Sequence, residues 1–141
     1  MSATLHADDV RTASRPEGAP SFARLAELVQ RYLGCEVAVL SVNDPSPSLR
    51  ALHGSSRCER RDSTACGVDL RELTHPLAAG EAGMRFYAGL PLRDYNGDLI
   101  GILAAMDRHE RTLGAEELET LKLLAGMASD LYENQRVAEL A

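Results

Sequence analysis

A chain of 141 residues with 45% apolar and 26% charged residues has the length and composition of one globular domain with its own core. The net charge is −6 and the basic residues are scattered, which argues against nucleic acid as a partner, because phosphate binding needs a concentrated positive face. No apolar run approaches the ~20 residues that a membrane-spanning helix needs, and the N-terminus lacks the pattern of a secretory signal. The composition therefore predicts a cytoplasmic protein without a membrane partner.

The N-terminal part of the chain divides at about residue 20. Residues 1–19 contain few large apolar side chains and are predicted to form a flexible arm, whereas residues 20–141 are expected to form the single domain. A first helix is predicted from Ser21 to Leu33, because apolar residues recur at helical spacing and Gly34 supplies a stop. Two antiparallel strands are predicted next, at residues 35–44 and 48–53.

The middle of the chain is the least regular in its sequence pattern. Between residues 54 and 83 we predict a short helix from Cys66 to Leu73 and a short strand from Thr74 to Ala78. The pattern becomes clear again at Met84–Leu92 and Leu99–Met106, two apolar, β-prone runs on either side of Asn96-Gly97. Asn-Gly provides the positive φ angles of a tight turn, so these runs predict a hairpin. Both runs are apolar on both alternating faces, which predicts that the hairpin lies at the centre of a sheet covered on both sides.

A long helix is predicted from Ala115 to Leu140, with Gly114 as its cap. Its apolar stripe comprises Leu118, Leu121, Leu124, Ala125, Ala128, Leu131, Tyr132 and Ala138. Leu123 and Met127 widen this stripe beyond what one domain needs from a helix, which favours a homodimer formed through the C-terminal helix. The alternative is a well-buried terminal helix in a monomer.

The order of these elements predicts the fold class. Hairpins lie where βαβ crossovers would otherwise occur, which is typical of an α+β domain. We therefore expect a central antiparallel sheet of about five to six strands with the N- and C-terminal helices packed on one face.

Four segments resemble the GAF domain family of bacterial signalling proteins. They are RYLGCEVAVLSVND (31–44), ERRDSTACG (59–67), RFYAGLPLRDYNGDLIGILAAMD (85–107) and LGAEELETLKLLAGMASDL (113–131). The third segment is the most specific, and the resemblance spans residues 21 to about 135. It implies a sheet with helices on one side and a ligand pocket on the other, beneath a lid. Only forty residues, from Asp44 to Gly83, are available for a strand, the lid and the pocket wall.

The resemblance also implies candidate ligand-binding residues. Cys66 matches the family's Cys-Gly position beside the pocket, and Arg85, Tyr87 and Gly89 share one face of the hairpin strand. Arg85 would pair with an anionic ligand, and Gly89 would leave space above the sheet. The alternative is that Arg85 is a surface residue and Tyr87 packs under the lid. The sequence identifies no cofactor.

No enzyme motif is present: there is no phosphate-binding glycine loop, nucleophile elbow or Ser/His/Asp pattern. The spacing of His53, Cys58, Cys66 and His75 matches no compact zinc site, so no metal is predicted. Three cysteines without an export signal argue against a disulfide framework.

These observations predict a non-enzymatic sensory or regulatory module of bacterial signal transduction. It would bind a small-molecule ligand or a partner and signal through its terminal helices to an effector protein. Two alternatives stay open: a degenerate, ligand-free GAF domain that acts as a dimerisation or protein-interaction scaffold, favoured by the short lid, and a small thiol redox enzyme or sensor that uses Cys58 and Cys66.

Overall fold

The computed structural model describes residues 20–57, 64–65 and 68–140. The helices are α1 (Pro20–Leu33), α2 (Pro76–Glu81) and α3 (Ala115–Leu140). The strands are β1 (Val37–Val42), β2 (Ala51–Ser56), β3 (Thr64–Ala65), β4 (Val68–Asp69), β5 (Phe86–Arg93) and β6 (Leu99–Asp107). Single 3₁₀ turns cover Pro47–Leu49 and Glu72–Thr74. The predicted arm, residues 1–19, lies outside the described residues.

The α+β prediction is confirmed, with a smaller sheet than expected. Within the described part of the chain, one antiparallel sheet has four strands in the order β2-β1-β6-β5, and β3 and β4 form a separate two-stranded ribbon. The predicted five to six strands were therefore too many for the central sheet. The register pairs Val42 with Ala51 and Leu40 with His53, so the predicted 35–44 and 48–53 strands do form a hairpin. Its second strand starts later than predicted, because residues 47–49 form a 3₁₀ turn.

The predicted hairpin forms, but only half of it lies at the centre of the sheet. β5 pairs with β6 from Phe86–Asp107 to Arg93–Leu99, and Gly97 in the turn has φ +88°. β6 lies between β1 and β5, whereas β5 is an edge strand. Pro91 was the local signal for this position, because proline cannot donate to a neighbouring strand and is confined to edges, strand starts and bulges.

The terminal helices cover one face of the sheet, as predicted. The interior residues of α1 pack against the β1 residues Ala38 and Leu40 and the β6 residues Leu103 and Ala105. The α3 residues in the same core are Leu121, Leu124, Ala125, Ala128 and Tyr132. Both helix ends match local signals: Gly34 follows α1 at φ +64°, and the Gly114 N–H donates to Oε1 of Glu117 over 2.9 Å. The second contact is the reciprocal half of an N-terminal capping box.

The opposite face of the sheet, called the lid face below, carries a smaller core. Val37 and Val39 of β1 and Ala104 and Met106 of β6 point to this side. The segment between β4 and β5 (residues 70–85, called the lid segment below) covers them with Leu70, Leu73, Ala79 and Met84. Because the sheet is covered on both faces, most residues of β1 and β6 are buried whichever face they point to. This explains why both strands are apolar along most of their length.

The predicted secondary structure of the lid segment was wrong. Where a helix from Cys66 to Leu73 was expected, residues 68–69 form a strand and a 3₁₀ turn begins at Glu72. Where a strand from Thr74 to Ala78 was expected, α2 begins at Pro76. Proline at the first helical position is pre-set for a helix, and Nδ1 of His75 accepts a hydrogen bond from the Leu77 N–H over 3.2 Å. Within the described residues, no helix combines the length and apolar character needed to cross a membrane.

Candidate functional site

Tyr87 fastens the lid segment to the sheet. Its side chain lies on the lid face, and its hydroxyl donates a hydrogen bond of 2.9 Å to the carbonyl oxygen of Thr74. Burial raises the pKa of the Tyr87 hydroxyl above its ordinary value. The same ring lies over Gly89: a Cβ added there would be 2.9 Å from the Tyr87 ring and 3.0 Å from Ile102. A side chain at position 89 would therefore meet Tyr87 and Ile102, although Gly89 itself is exposed.

Of the other two predicted ligand-binding residues, the structure describes only Arg85. The Arg85 side chain is exposed just before β5, and its backbone N–H donates to the Asp107 carbonyl over 2.8 Å. Cys66 lies outside the described residues, as does Cys58. That Cys66, Arg85, Tyr87 and Gly89 contact a ligand stays a prediction.

A second close contact lies over β2, the edge strand on the other side of the sheet. A Cβ added to Gly54 would be 2.6 Å from a methyl group of Leu70, so the lack of a side chain at this position lets Leu70 lie against the strand. Tyr87 and Leu70 therefore occupy part of the lid face over the two edge strands, although Gly54 and Gly89 are themselves exposed. Among the described residues, a cavity of ligand size lies elsewhere on this side of the sheet.

Such a cavity of about 460 Å³ lies where β1 ends and β2 begins. Volumes of roughly 300–1,000 Å³ are typical of small-molecule sites. Its walls are Ser41, Val42, Asn43, Pro47, Arg50, Ala51, Leu52, Arg71 and Thr74. Two arginines and three uncharged polar side chains line it together with apolar groups, and none of the described residues in its walls is acidic. Sequence reasoning missed this cavity, because it joins the loop between β1 and β2 (residues 43–50, the β1–β2 loop) to the lid segment.

Arg50 shapes the β1–β2 loop. Its Nε donates to the Asp44 carbonyl over 2.9 Å, and Nη2 donates to the Pro45 carbonyl over 3.1 Å. Both partners are neutral, and none of the described carboxylates forms an ion pair with Arg50. The guanidinium has five N–H donors, so these two hydrogen bonds leave other N–H groups available to a further acceptor.

The same loop is bonded to the far half of α3. Asp44 uses both carboxylate oxygens: Oδ1 accepts from the Ser46 N–H over 2.8 Å, and Oδ2 accepts from the Tyr132 hydroxyl over 2.5 Å. Tyr132 is only 3% exposed. Ser48 adds a second contact, donating to Oε1 of Glu139 over 2.7 Å. The wall of the cavity and the terminal helix are thus parts of one hydrogen-bonded unit.

The turn between β5 and β6 holds the same helix from another side. The backbone N–H of Tyr95 donates to Oε2 of the buried Glu133 over 2.6 Å, and the Tyr95 hydroxyl donates to Oδ1 of Asp130 over 2.9 Å. Arg136 pairs with the other Glu133 oxygen at 3.0 Å. The polar residues after Tyr132, where the apolar stripe of α3 thins, therefore serve to attach the helix to the sheet's loops.

An apolar groove of about 420 Å³ lies on the outer side of the helices. Its walls are Ser21, Arg24, Leu25 and Leu28 of α1 and Met127, Asp130 and Leu131 of α3. Leu28, Met127 and the neighbouring Leu123 are 48%, 52% and 71% exposed. The side chains that widened the predicted stripe of α3 are therefore on the surface and not in the core.

Asp107, at the end of β6, is the centre of a charged cluster. Its carboxylate is 4% exposed and accepts from the His109 N–H at 3.0 Å. Arg57 and Arg111 approach its other oxygen at 3.4 Å and 3.6 Å. Ligand atoms of Glu36, Asp107 and His109 lie within 4.8 Å of one another, a spacing that a cation would accept.

The charges around that cluster favour a network of ion pairs over a cation site. Arg108 binds Oε2 of Glu36 at 2.8 Å, in addition to the two arginines at Asp107. These guanidinium groups already supply the positive charge that the carboxylates need. The cluster joins the ends of β1, β2 and β6.

The two histidines of the rejected metal set lie in different elements, and its two cysteines, Cys58 and Cys66, lie outside the described residues. His53 is in β2 opposite Leu40, whereas His75 caps α2. The third cysteine, Cys35, is buried, and burial raises the pKa of its thiol. A thiol that stays protonated is a poor nucleophile, so Cys35 acts as a small core residue.

Comparison with known proteins identifies the family. The model of the GAF domain matches residues 20–130. No curated protein matches the chain. Among solved structures, the chain is similar to the photoproduct state of GAF3 from Slr1393 of Synechocystis sp. PCC6803, with 17% identity, a TM-score of 0.60 and coverage of 85% of this chain and 96% of that one.

Two further structures share the fold. One is the blue-light-absorbing form of the PixJ GAF domain of Thermosynechococcus elongatus, with 14% identity, a TM-score of 0.62 and coverage of 97% and 94%. The other is the GAF domain of an Acinetobacter phosphoenolpyruvate-protein phosphotransferase, with 11% identity, a TM-score of 0.62 and coverage of 95% and 92%. At these identities the likeness concerns the fold. The family match, over most of the chain, shows that this protein belongs to the GAF domain family.

Proposed function

We propose that this chain is a non-enzymatic sensory and regulatory module of bacterial signal transduction, acting in the cytoplasm. A small molecule or a partner binds on the lid side of the sheet, and the terminal helices pass the change to an effector protein. The observation that carries the proposal is the bonding of α3 to both hairpin loops, through Tyr132–Asp44 and Glu133–Tyr95. A shift of either loop alters the position of the helix that would meet an effector.

The outer face of the helices supports a homodimer. Leu28, Leu123 and Met127 present apolar area next to a groove that carries one residue of each charge, Arg24 and Asp130. Two copies related by a two-fold axis present the same patch to each other, an arrangement in which Arg24 of one copy can pair with Asp130 of the other. A rigid pair of such helices would give the sensor a defined output geometry.

The dimer is tested by sedimentation of the full chain and of a Leu123→Glu, Met127→Glu variant. We expect the wild type to sediment as a dimer and the variant to dissociate at least about tenfold more readily, because two buried charges oppose association. Leu99→Glu is the matched control: Leu99 is 64% exposed but lies on the hairpin. A monomeric wild type, or equal effects of the two variants, would contradict the proposed interface.

A ligand-free scaffold is the second candidate function. It is favoured by the lid-face contacts in which Tyr87 lies over Gly89 and Leu70 lies over Gly54. Native mass spectrometry of freshly purified protein distinguishes the two candidates, because a sensor isolated with its ligand shows added mass and a scaffold does not. Addition of candidate compounds to the apo protein extends the test to ligands lost during purification.

A further inference from the structure

We propose that the 460 Å³ cavity beside the β1–β2 loop binds a small organic anion, one with a carboxylate or phosphate group on an apolar body, and that binding strengthens the attachment of this loop to α3. This inference deepens the proposed sensory function by naming the ligand class and the route of coupling, and it rests on that function.

The charge of the cavity is the first argument. The chain as a whole carries −6, yet among the described residues the cavity is lined by Arg50 and Arg71 and by no acidic side chain, and the proposed site depends on Arg50. Arg50 is bonded to two neutral carbonyl groups, which satisfy donors but do not neutralise its charge. An oxyanion supplies that charge, and guanidinium matches carboxylate and phosphate oxygens in a forked geometry.

The remaining walls define the rest of the ligand. Ser41, Asn43 and Thr74 offer uncharged polar groups, and the apolar surface comes from Val42, Pro47, Ala51 and Leu52. A cavity with both apolar and polar walls selects an organic anion over a bare inorganic ion, because burial of an apolar body adds to the affinity.

The coupling follows from the bonds of Asp44. Its carbonyl accepts from Arg50, and its carboxylate accepts from Ser46 and Tyr132. The docked loop therefore holds Arg50 at the cavity in advance, which lowers the ordering cost of binding. By linkage, a ligand that prefers this arrangement must stabilise the contact between Asp44 and α3 to the same extent that the contact favours the ligand.

The test titrates the full chain with benzoate, phenyl phosphate and benzamide and follows backbone amide NMR signals. Benzamide is the matched neutral probe, since it has the shape of benzoate without the charge. We expect the amides of Asn43, Ser46 and Leu52 to shift with at least one anion and not with benzamide. The two anions separate a carboxylate from a phosphate ligand. If neither anion shifts these signals at about 1–10 mM, or benzamide binds equally well, the proposal is wrong.

Variants then assign the binding to Arg50 and the coupling to Tyr132. Arg50→Gln should weaken anion binding at least about tenfold, whereas Arg93→Gln should not. Arg93 is a fair control because it is also exposed and donates to a carbonyl, that of Gly97, over 3.0 Å. Unchanged amide signals from β6 in the Arg50 variant show that it is folded. Arg50→Gln with unaltered affinity would overturn the site.

Tyr132→Phe should weaken anion binding about fivefold, the value of one hydrogen bond, although Tyr132 does not line the cavity. Unchanged affinity in this variant would overturn the coupling. A failure of anion binding is distinguishable from a failure of the sensory function: a different compound retained in native mass spectrometry would leave the sensory function standing.

Discussion

The hydroxyl of Tyr132 donates a hydrogen bond of 2.5 Å to Oδ2 of Asp44, joining the terminal helix to a loop 88 positions earlier in the chain. The tyrosine is buried, and the aspartate orders its own loop through the Ser46 N–H. This contact ties the helical face of the domain to the mouth of the cavity. Because this hydrogen bond joins the loop to the helix, a movement of the loop alters the position of the helix, and the reverse also holds.

Tyr132→Phe tests this contact through its pH dependence. Burial, followed by the hydrogen bond and charge of Asp44, raises the pKa of Tyr132 to about 12 from its ordinary 10.0. The folded chain therefore holds this proton more tightly than the unfolded chain, and the free energy of unfolding should fall as pH rises from about 10 to 12. At neutral pH the variant should lose about 1–3 kcal/mol, because Asp44 loses a partner.

The measurement is urea unfolding at a series of pH values. In Tyr132→Phe the alkaline decline should be shallower than in the wild type. Tyr32→Phe is the control, since its hydroxyl makes only an exposed contact of 3.3 Å with Thr120. Parallel alkaline profiles for the wild type and Tyr132→Phe would contradict the assignment.

Asp107→Asn should reduce the acid sensitivity of the fold. Burial by itself raises the pKa of Asp107, but the hydrogen bonds from His109 and the charge of Arg57 outweigh it, so the pKa lies below the ordinary 3.8. The ionised group therefore stabilises the fold fully above about pH 4, and this contribution is lost as pH falls through the folded-state pKa. Unfolding free energies should differ most at neutral pH and converge in acid; a constant difference down to the lowest pH would refute the linkage.

Gly101→Ala should be among the most damaging single substitutions. A Cβ there would lie 1.9 Å from the carbonyl oxygen of Ser41, a backbone atom that cannot rotate away. The strands β1 and β6 would have to separate, at a cost of at least about 3 kcal/mol. Gly126→Ala is the counterpart: nothing lies within 4 Å of its added Cβ, and alanine in a helix should gain about 1 kcal/mol. Urea unfolding at one protein concentration should give effects of opposite sign; similar losses in both variants would contradict the stated cause.

Tyr87→Phe should loosen the lid without affecting the sheet. It removes the hydrogen bond to the Thr74 carbonyl but keeps the ring over Gly89. The expected loss is about 1 kcal/mol. Hydrogen exchange should become faster for residues 70–80 and stay unchanged for β1 and β6. Equal acceleration in the sheet would mean that the lid does not open by itself.

Local signals accounted for much of the fold. Gly34 marked the C-terminal end of α1, Gly114 marked the start of α3, and Asn96-Gly97 marked the hairpin turn. These predictions succeeded because each depends on a few neighbouring residues: the spacing of apolar side chains, a cap, or a glycine conformation. The lid segment failed for the opposite reason, since its weak pattern left the start of α2 at Pro76 unrecognised.

The candidate site depended on contacts that no local pattern contains. The sequence by itself determined the family, the terminal helices and the apolar excess on α3, because periodicity and motifs are properties of adjacent residues. Only the tertiary structure decided that the Tyr87 hydroxyl reaches the Thr74 carbonyl and that Arg50 and Arg71 share a cavity. Each of these outcomes follows from how segments far apart in the chain pack together. The Tyr132–Asp44 bond is of the same kind, because its two ends meet only after α3 has closed over the sheet.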